Sequence, residues 1–145
     1  MSRLRSIAFV LLVLSFLVPS APRADDMEPV RRRFTRVPAP DGIQIRRYNK
    51  TDGESPGKKD RVLVHYRGTL DNGDVFDSSF ERRRPVQFSL EKVIPCWKVA
   101  LQRLHVGEKA QIICPAAVGY GAKGSPPDIP GFARLTFEVE LIDIL

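Results

Sequence analysis

Six aromatic side chains and one carboxylate carry most of the chemistry open to this chain. Tyr66, Phe76, Phe88, Trp97, Tyr120 and Phe137 stand at turns and strand ends, and Asp77 directly follows Phe76. Such a set suits a concave apolar pocket with few polar groups. Composition alone does not separate that pocket from an ordinary aromatic core. The patterns that would supply a reactive group are missing. His65 and His105 are isolated and make no recognised metal-ligand spacing with Cys96 and Cys114. There is no Gly-rich phosphate loop, nucleophile elbow or paired-carboxylate motif. No base is placed beside Cys96, and His65 lies in a strand pattern as a sheet residue. Chemistry at these aromatics is therefore expected to run without proton relay, metal or cofactor.

The elements that must position these groups follow from periodicity. Pro95 suits a first helical turn, where its missing N–H costs nothing. Trp97, Leu101 and Leu104 then recur at i, i+4 and i+7 with Ala100 beside them, and Gly107 is a natural stop. This predicts one short amphipathic helix, carrying the only tryptophan of the chain in its first turn. The rest alternates as strands do. Ile43 and Ile45 follow the Asp41-Gly42 turn. Val62, Val64 and Tyr66 oppose Leu63 and His65, which predicts a strand covered on both faces. Asn72-Gly73 is a hairpin signal, since both residues tolerate positive φ. Val86, Phe88 and Leu90, then Ala110, Ile112 and Cys114, then Leu135, Phe137, Val139 and Leu141 each alternate with polar neighbours. The pattern predicts an α+β domain, an antiparallel sheet with one helix against its apolar face.

The N-terminus reads differently. Arg3 and Arg5 precede an apolar run from Ile7 to Val18, followed by Pro19-Ser20-Ala21. A basic start, a short apolar stretch and small residues make a secretory signal peptide. Residues 1–20 are assigned to it, with cleavage after Ser20, Ala21 or Ala24. The run falls short of the roughly 20 residues a spanning helix needs, so no stable membrane insertion is expected. Export places the protein in a periplasm, a secretory lumen or the medium. Residues 21–36, with Arg31-Arg32-Arg33, read as a basic solvated arm, and residues 37–145 as one domain. The arm lacks apolar heptads, which points to a monomer. Removing Arg3 and Arg5 takes the net charge from +6 to +4. That is too diffuse for nucleic-acid binding, and no basic helix, zinc finger or RNP sequence supports it. Asn49-Lys50-Thr51 is a glycosylation sequon, of consequence only in a eukaryotic host.

Five ordered motifs now bear on the pocket: Val64-His65-Tyr66-Arg67-Gly68-Thr69-Leu70, Gly73-Asp74-Val75-Phe76-Asp77-Ser78-Ser79, Val93-Ile94-Pro95-Cys96-Trp97, Val118-Gly119-Tyr120-Gly121 and Leu135-Thr136-Phe137-Glu138-Val139-Glu140-Leu141. From about Gly42 to Leu145 their order and spacing resemble FKBP-type peptidyl-prolyl isomerases, most of all the exported Mip-like branch. The resemblance implies a half-barrel of five to six antiparallel strands wrapped around the Trp97 helix. It implies Trp97 as pocket floor, with Tyr66, Phe76, Val86, Val93, Ile94, Ile129 and Phe137 around it. Ile94 N–H and the Tyr120 hydroxyl would meet substrate carbonyls, and Asp77, held by Arg82, would sit near the rotating amide. Asp77, Phe76, Tyr120 and Phe137 would carry catalysis. Implied partners are proline-containing polypeptides and immunosuppressive macrolides.

Three departures bear on specificity. Val86 stands where the family has a phenylalanine, Ser125 and Asp128 lie in a loop that is otherwise more apolar, and Cys96 replaces a glycine. A non-catalytic module that holds proline-containing segments is the competing reading. Cys96 and Cys114 leave two alternatives open, a disulfide suited to an oxidising compartment or two buried thiols.

Overall fold

A computed structural model describes residues 33–145; the segment read as a signal peptide and most of the stretch read as a basic arm lie outside them. The described chain forms seven strands and one α-helix. In order these are β1 Thr35–Val37, β2 Gln44–Arg47, β3 Arg61–Thr69, β4 Val75–Ser78, β5 Val86–Ser89, α1 Pro95–Leu101, β6 Lys109–Cys114 and β7 Leu135–Ile144. They make a single open antiparallel sheet in the order β1-β2-β6-β7-β3-β4, with β5 also paired to β3. The short strands β4 and β5 share one edge of β3. Arg67 to Thr69 face β4, and Arg61 to Val64 face β5.

Seven strands exceed the five to six expected. The addition is β1, whose first two residues, Thr35 and Arg36, fall in the stretch read as arm. Three residues with one apolar member give no alternation to detect. Tertiary contacts supply the strand instead. Val37 lies opposite Ile45, and the Arg46 guanidinium sits 5.2 Å from the centroid of the Phe34 ring.

Alternation elsewhere becomes burial. Leu135, Phe137, Val139 and Leu141 of β7 are buried, as are Ala110, Ile112 and Cys114 of β6 and Val62, Val64 and Tyr66 of β3. On the second face of β3, Leu63 and His65 are only half-buried. Phe80 covers His65, its ring stacked at 4.7 Å and 14°. The β3–β4 hairpin turns at Gly73, φ +91°. Its Leu70 N–H reaches Asp74 O at 2.9 Å, and the Asn72 side chain accepts from Asp74 N–H at 2.9 Å.

Helix α1 lies against the buried face and is shorter than its apolar stripe. It ends at Leu101, after which Leu104 N–H turns back to Leu101 O at 3.2 Å. Such tight i→i+3 turns commonly close helices. They still bury Leu104 beside Trp97, Ala100 and Leu101. A buried carboxylate secures the segment that follows. Glu108 is fully buried, lies 3.4 Å from Arg47, and accepts the backbone N–H groups of Thr51 at 3.2 Å and His105 at 3.0 Å. Multiple donors of this kind are what a buried charge requires.

Cys96 and Cys114 are joined, with Cα atoms 5.8 Å apart. The bridge ties the first turn of α1 to the end of β6. Closing a sequence separation of 18 residues removes unfolded-state entropy worth about 3 kcal/mol in the chain-entropy model. Urea unfolding with and without reductant, and of the double variant Cys96→Ala/Cys114→Ala, is expected to show a loss of that size. Equal midpoints in both conditions would contradict it.

Candidate active site

The first turn of α1 presents Trp97 to three strands. Its ring meets Tyr66 of β3, Phe88 of β5 and Phe137 of β7 edge to face, with centroids 5.2 Å away in each case. Phe76 of β4 packs on Phe137 at 5.6 Å and 89°. T-shaped contacts of this kind set an electropositive ring edge against a neighbouring face. Trp97, Tyr66 and Phe137 are buried, while Phe76 and Phe88 are half-buried.

These rings enclose a cavity of about 240 Å³, lined by Tyr66, Phe76, Asp77, Phe88, Lys92, Val93, Ile94, Trp97, Tyr120 and Phe137. Its shape depends on a missing side chain. Gly68 pairs with Asp77 on one side and Phe137 on the other. A Cβ there would lie 2.4 Å from Phe76 Cζ and 3.0 Å from Phe137 Cε1. Only glycine lets the Phe76 ring lie over β3.

One charged network borders the aromatics. Arg82 Nη1 donates to Asp77 Oδ1 at 2.6 Å, Arg82 Nη2 donates to the Tyr66 hydroxyl at 3.2 Å, and that hydroxyl donates to Asp77 Oδ2. Burial by itself would push the Asp77 carboxyl up. Hydrogen bonds from Arg82 and Tyr66, with the Arg82 charge, outweigh it and hold the group below its usual 3.8. Tyr66 moves the other way. Burial first, then its bond to Asp77, push it to about 12. Asp77 is thus ionised and Tyr66 protonated throughout the neutral range.

Two donors remain at the cavity without an acceptor. Ile94 precedes the helix at φ −57°, ψ 149°, and no group among the described residues accepts its N–H. The Tyr120 side chain is 41% exposed, and its hydroxyl has no partner among the described residues. Both residues line the cavity.

Most of the residues singled out in the sequence converge here: Tyr66, Phe76, Asp77, Val93, Ile94, Trp97, Tyr120 and Phe137 line the cavity. Arg82 lies outside it and is bonded to Asp77 and Tyr66. Val86 and Ile129 are not among the lining residues. Val86 packs half-buried on the core opposite Val64, and a valine has no ring to extend along the strand. Ile129 is buried, its backbone bonded to Ser125 in both directions at 2.8 and 2.9 Å. Two lining residues were not assigned a pocket role from sequence. Phe88 stood among the aromatics noted above, and its alternation with Gln87 marked it as inward-facing. Lys92 gave no signal, since it is one cation among the charged residues flanking an apolar run.

The open sheet thus wraps an aromatic cavity bordered by a charged network, with two unpartnered donors among its lining residues. Comparison with known proteins shows the family to which this fold belongs. The family description "FKBP-type peptidyl-prolyl cis-trans isomerase" matches residues 52–142, and the chain belongs to that family, a family of isomerases. It is 45% identical over 104 residues to the FKBP-type 22 kDa peptidyl-prolyl cis-trans isomerase of Escherichia coli, covering 72% of this chain and 50% of that protein. It is 45% identical over 108 residues to FK506-binding protein 1A of Emericella nidulans, covering 71% and 98%. A crystal structure of a peptidyl-prolyl cis-trans isomerase from Pseudomonas syringae superposes with a TM-score of 0.71 at 36% identity, covering 75% of this chain and 80% of that one. The chain thus spans half of the E. coli relative and nearly all of the fungal one.

Two outcomes follow from the geometry. Gly68→Ala forces Phe76 aside and is expected to destabilise by about 1–3 kcal/mol, as overpacked sites do, with cavity ligands binding more weakly; urea unfolding and ligand titration measure both. The Asp77 value is lowered by folding, so its stabilisation is present above the usual 3.8 and disappears as pH falls through the lower folded value. Unfolding midpoints followed from pH 6 down to pH 2 should therefore lose less in Asp77→Asn than in the wild type.

Proposed function

We propose that the Trp97-floored cavity is a prolyl isomerase active site that works without covalent chemistry. The observation that carries this is the join between an aromatic cavity and an ion network of fixed charge, with the unpartnered Ile94 N–H and Tyr120 hydroxyl on its lining residues. The family membership supports it.

The barrier to rotating an X–Pro bond, roughly 18–20 kcal/mol, comes from amide resonance. The planar amide is the more charge-separated form. Moving it from water to an apolar cavity therefore disfavours it relative to the twisted amide. In this reading the proline ring enters over Trp97, between Phe76 and Phe137. The Ile94 N–H and the Tyr120 hydroxyl hold carbonyls on either side, so the chain ends are fixed while the central bond turns. Asp77 lies at the edge where the rotating carbonyl passes. Arg82 and Tyr66 position its carboxylate. Interactions made better with the twisted amide than with the planar one lower the barrier. No bond to nitrogen or carbon breaks, and no proton need move.

Clients in this reading are proline-containing polypeptides crossing or residing outside the cytoplasm, as the basic–apolar N-terminus suggests, and the protein acts as a monomer of the exported Mip-like kind. Relatives named for FK506 binding suggest that a macrolide can occupy the same cavity. Val86, which stands where the family has a phenylalanine, makes that affinity a separate measurement.

A protease-coupled assay on X–Pro tetrapeptides is expected to show acceleration, and tight peptide binding without acceleration would favour a holding module instead. Phe76→Ala should lower kcat/KM on the order of tenfold or more, a loss of about 1.4 kcal/mol of transition-state stabilisation. With Asp77 and Tyr66 fixed in charge, kcat/KM should be nearly flat from about pH 6 to 8. A bell-shaped profile centred near neutrality would overturn the non-covalent mechanism.

A further inference from the structure

The charges of the cavity do not balance. Asp77 and Lys92 are the ionic side chains among its lining residues. Asp77 is already answered, since Arg82 donates to one carboxylate oxygen at 2.6 Å and the Tyr66 hydroxyl donates to the other. Lys92 is exposed and belongs to none of the ion pairs among the described residues. Glu91, its neighbour in sequence, is exposed, forms no ion pair with it and does not line the cavity. One cation is therefore left uncompensated in the lining of an aromatic cavity.

The backbone fixes where that cation stands. Lys92 N–H donates to Ser89 O at 3.0 Å and closes the turn after β5. Lys92, Val93 and Ile94 then line the cavity in succession, and Ile94 carries the unpartnered N–H. Two residues along the chain separate their Cα atoms by at most about 7 Å, a distance comparable with the length of lysine's four-carbon stem. A chain whose carbonyl meets the Ile94 N–H thus comes within reach of the Lys92 ammonium.

We propose that Lys92 is a specificity-determining residue of this site, favouring clients with Asp or Glu next to the proline and disfavouring those with Lys or Arg there. The inference deepens the reading of the cavity as a prolyl site and rests on it. The ligand is a carboxylate because the occupant in that reading is a polypeptide, whose anionic side chains are Asp and Glu. Discrimination then has two sides, attraction of the complementary charge and repulsion of the like one. The aromatic walls take the proline ring, which is common to every client, and Lys92 reads the residue beside it. An exposed lysine gives a modest, salt-sensitive preference rather than an absolute one.

The test uses three fluorescently labelled peptides that differ only at the two residues flanking a central proline: Glu in one, Gln in the second, Lys in the third. Glu and Gln match in size, so their comparison isolates charge. By anisotropy at low salt the wild-type protein should bind the Glu peptide roughly threefold more tightly than the Gln peptide, the scale of an exposed ion pair. The Lys peptide should bind more weakly than either. Salt at about 0.5 M should shrink these differences. Lys92→Gln should abolish the Glu preference, Lys92→Glu should turn it toward the Lys peptide, and Lys92→Arg should keep it. Equal binding of the Glu and Gln peptides by the wild type overturns the proposal. So does a Glu preference that persists in Lys92→Gln, which would give the discrimination to another cation, such as the exposed Arg83 or Arg84 between β4 and β5. Catalysed isomerisation of the Gln peptide reports separately on the cavity: its absence would reject the prolyl reading, whereas the binding ratios report on Lys92.

Discussion

The edge-to-face packing of Trp97 against three strands is the interaction on which the rest of this structure depends. Tyr66, Phe88 and Phe137 come from β3, β5 and β7, and one indole ring fixes all three. A helix of seven residues has no stability of its own. It persists because this ring, with Ala100, Leu101 and Leu104, is buried in the hollow of the sheet. The dependence runs both ways, since an open sheet that curls around a hollow needs something to fill it. The Cys96–Cys114 bridge sits one residue from Trp97 and ties the same turn to β6. Covalent and packing constraints therefore converge on the floor of the cavity. The indole N–H is buried without a partner among the described residues. An orphaned buried donor generally costs about 1–3 kcal/mol, so the ring is held in place by its faces and edges against that cost.

An apolar cavity beside an ionised carboxylate looks contradictory until the hydrogen bonds are counted. Asp77 receives Arg82 on one oxygen and Tyr66 on the other, and Arg82 also reaches the Tyr66 hydroxyl. Each member supplies what another lacks, which makes the group stable as a set. Its consequence is electrical constancy: the carboxyl is held down and the phenol held up, so neither changes charge near neutrality. The fold solves the Glu108 problem in the same manner, with Arg47 and two backbone N–H groups. There the carboxylate is fully buried and serves the loop after α1. At Asp77 it is left part-exposed, where a substrate can reach it.

What was legible in the sequence was whatever repeats locally. The Trp97–Leu101–Leu104 spacing, the alternation of Leu135 to Leu141 and the Asn72-Gly73 turn each state their structure within ten residues. The five ordered motifs then brought Tyr66, Phe76, Asp77, Trp97, Tyr120 and Phe137 together across a span no local pattern covers. Missing information was of two kinds. β1 exists because Val37 finds Ile45 and Phe34 finds Arg46, partners that a three-residue strand cannot announce. Side-chain reach was the other. Val86 and Phe88 share one face of β5, yet only the ring at 88 extends to Trp97. Lys92 lines the cavity through the course of the turn after β5, whose Lys92 N–H reaches Ser89 O at 3.0 Å. Gly68 was quoted within a motif, but the reason for it became visible only once Phe76 lay across it.

The division between walls and rim follows from how each is held. Tyr66, Phe76, Phe88 and Phe137 stand on paired strands and touch other rings, so a change in one displaces its neighbours. The segment from Tyr120 to Ala133 is held by main-chain bonds: Gly124 to Tyr120, Ser125 to Ile129 in both directions, and Phe132 to Gly121. Apart from the buried Ile129, side chains along it are largely released from packing duty, which is the usual condition of loops that meet a ligand. Ser125 and Asp128 are exposed along it and line no part of the cavity. Backbone bonds, rather than side chains, keep the shape of this segment. The chemistry of the aromatic box is insulated from it because no ring of the box relies on that segment except through Tyr120.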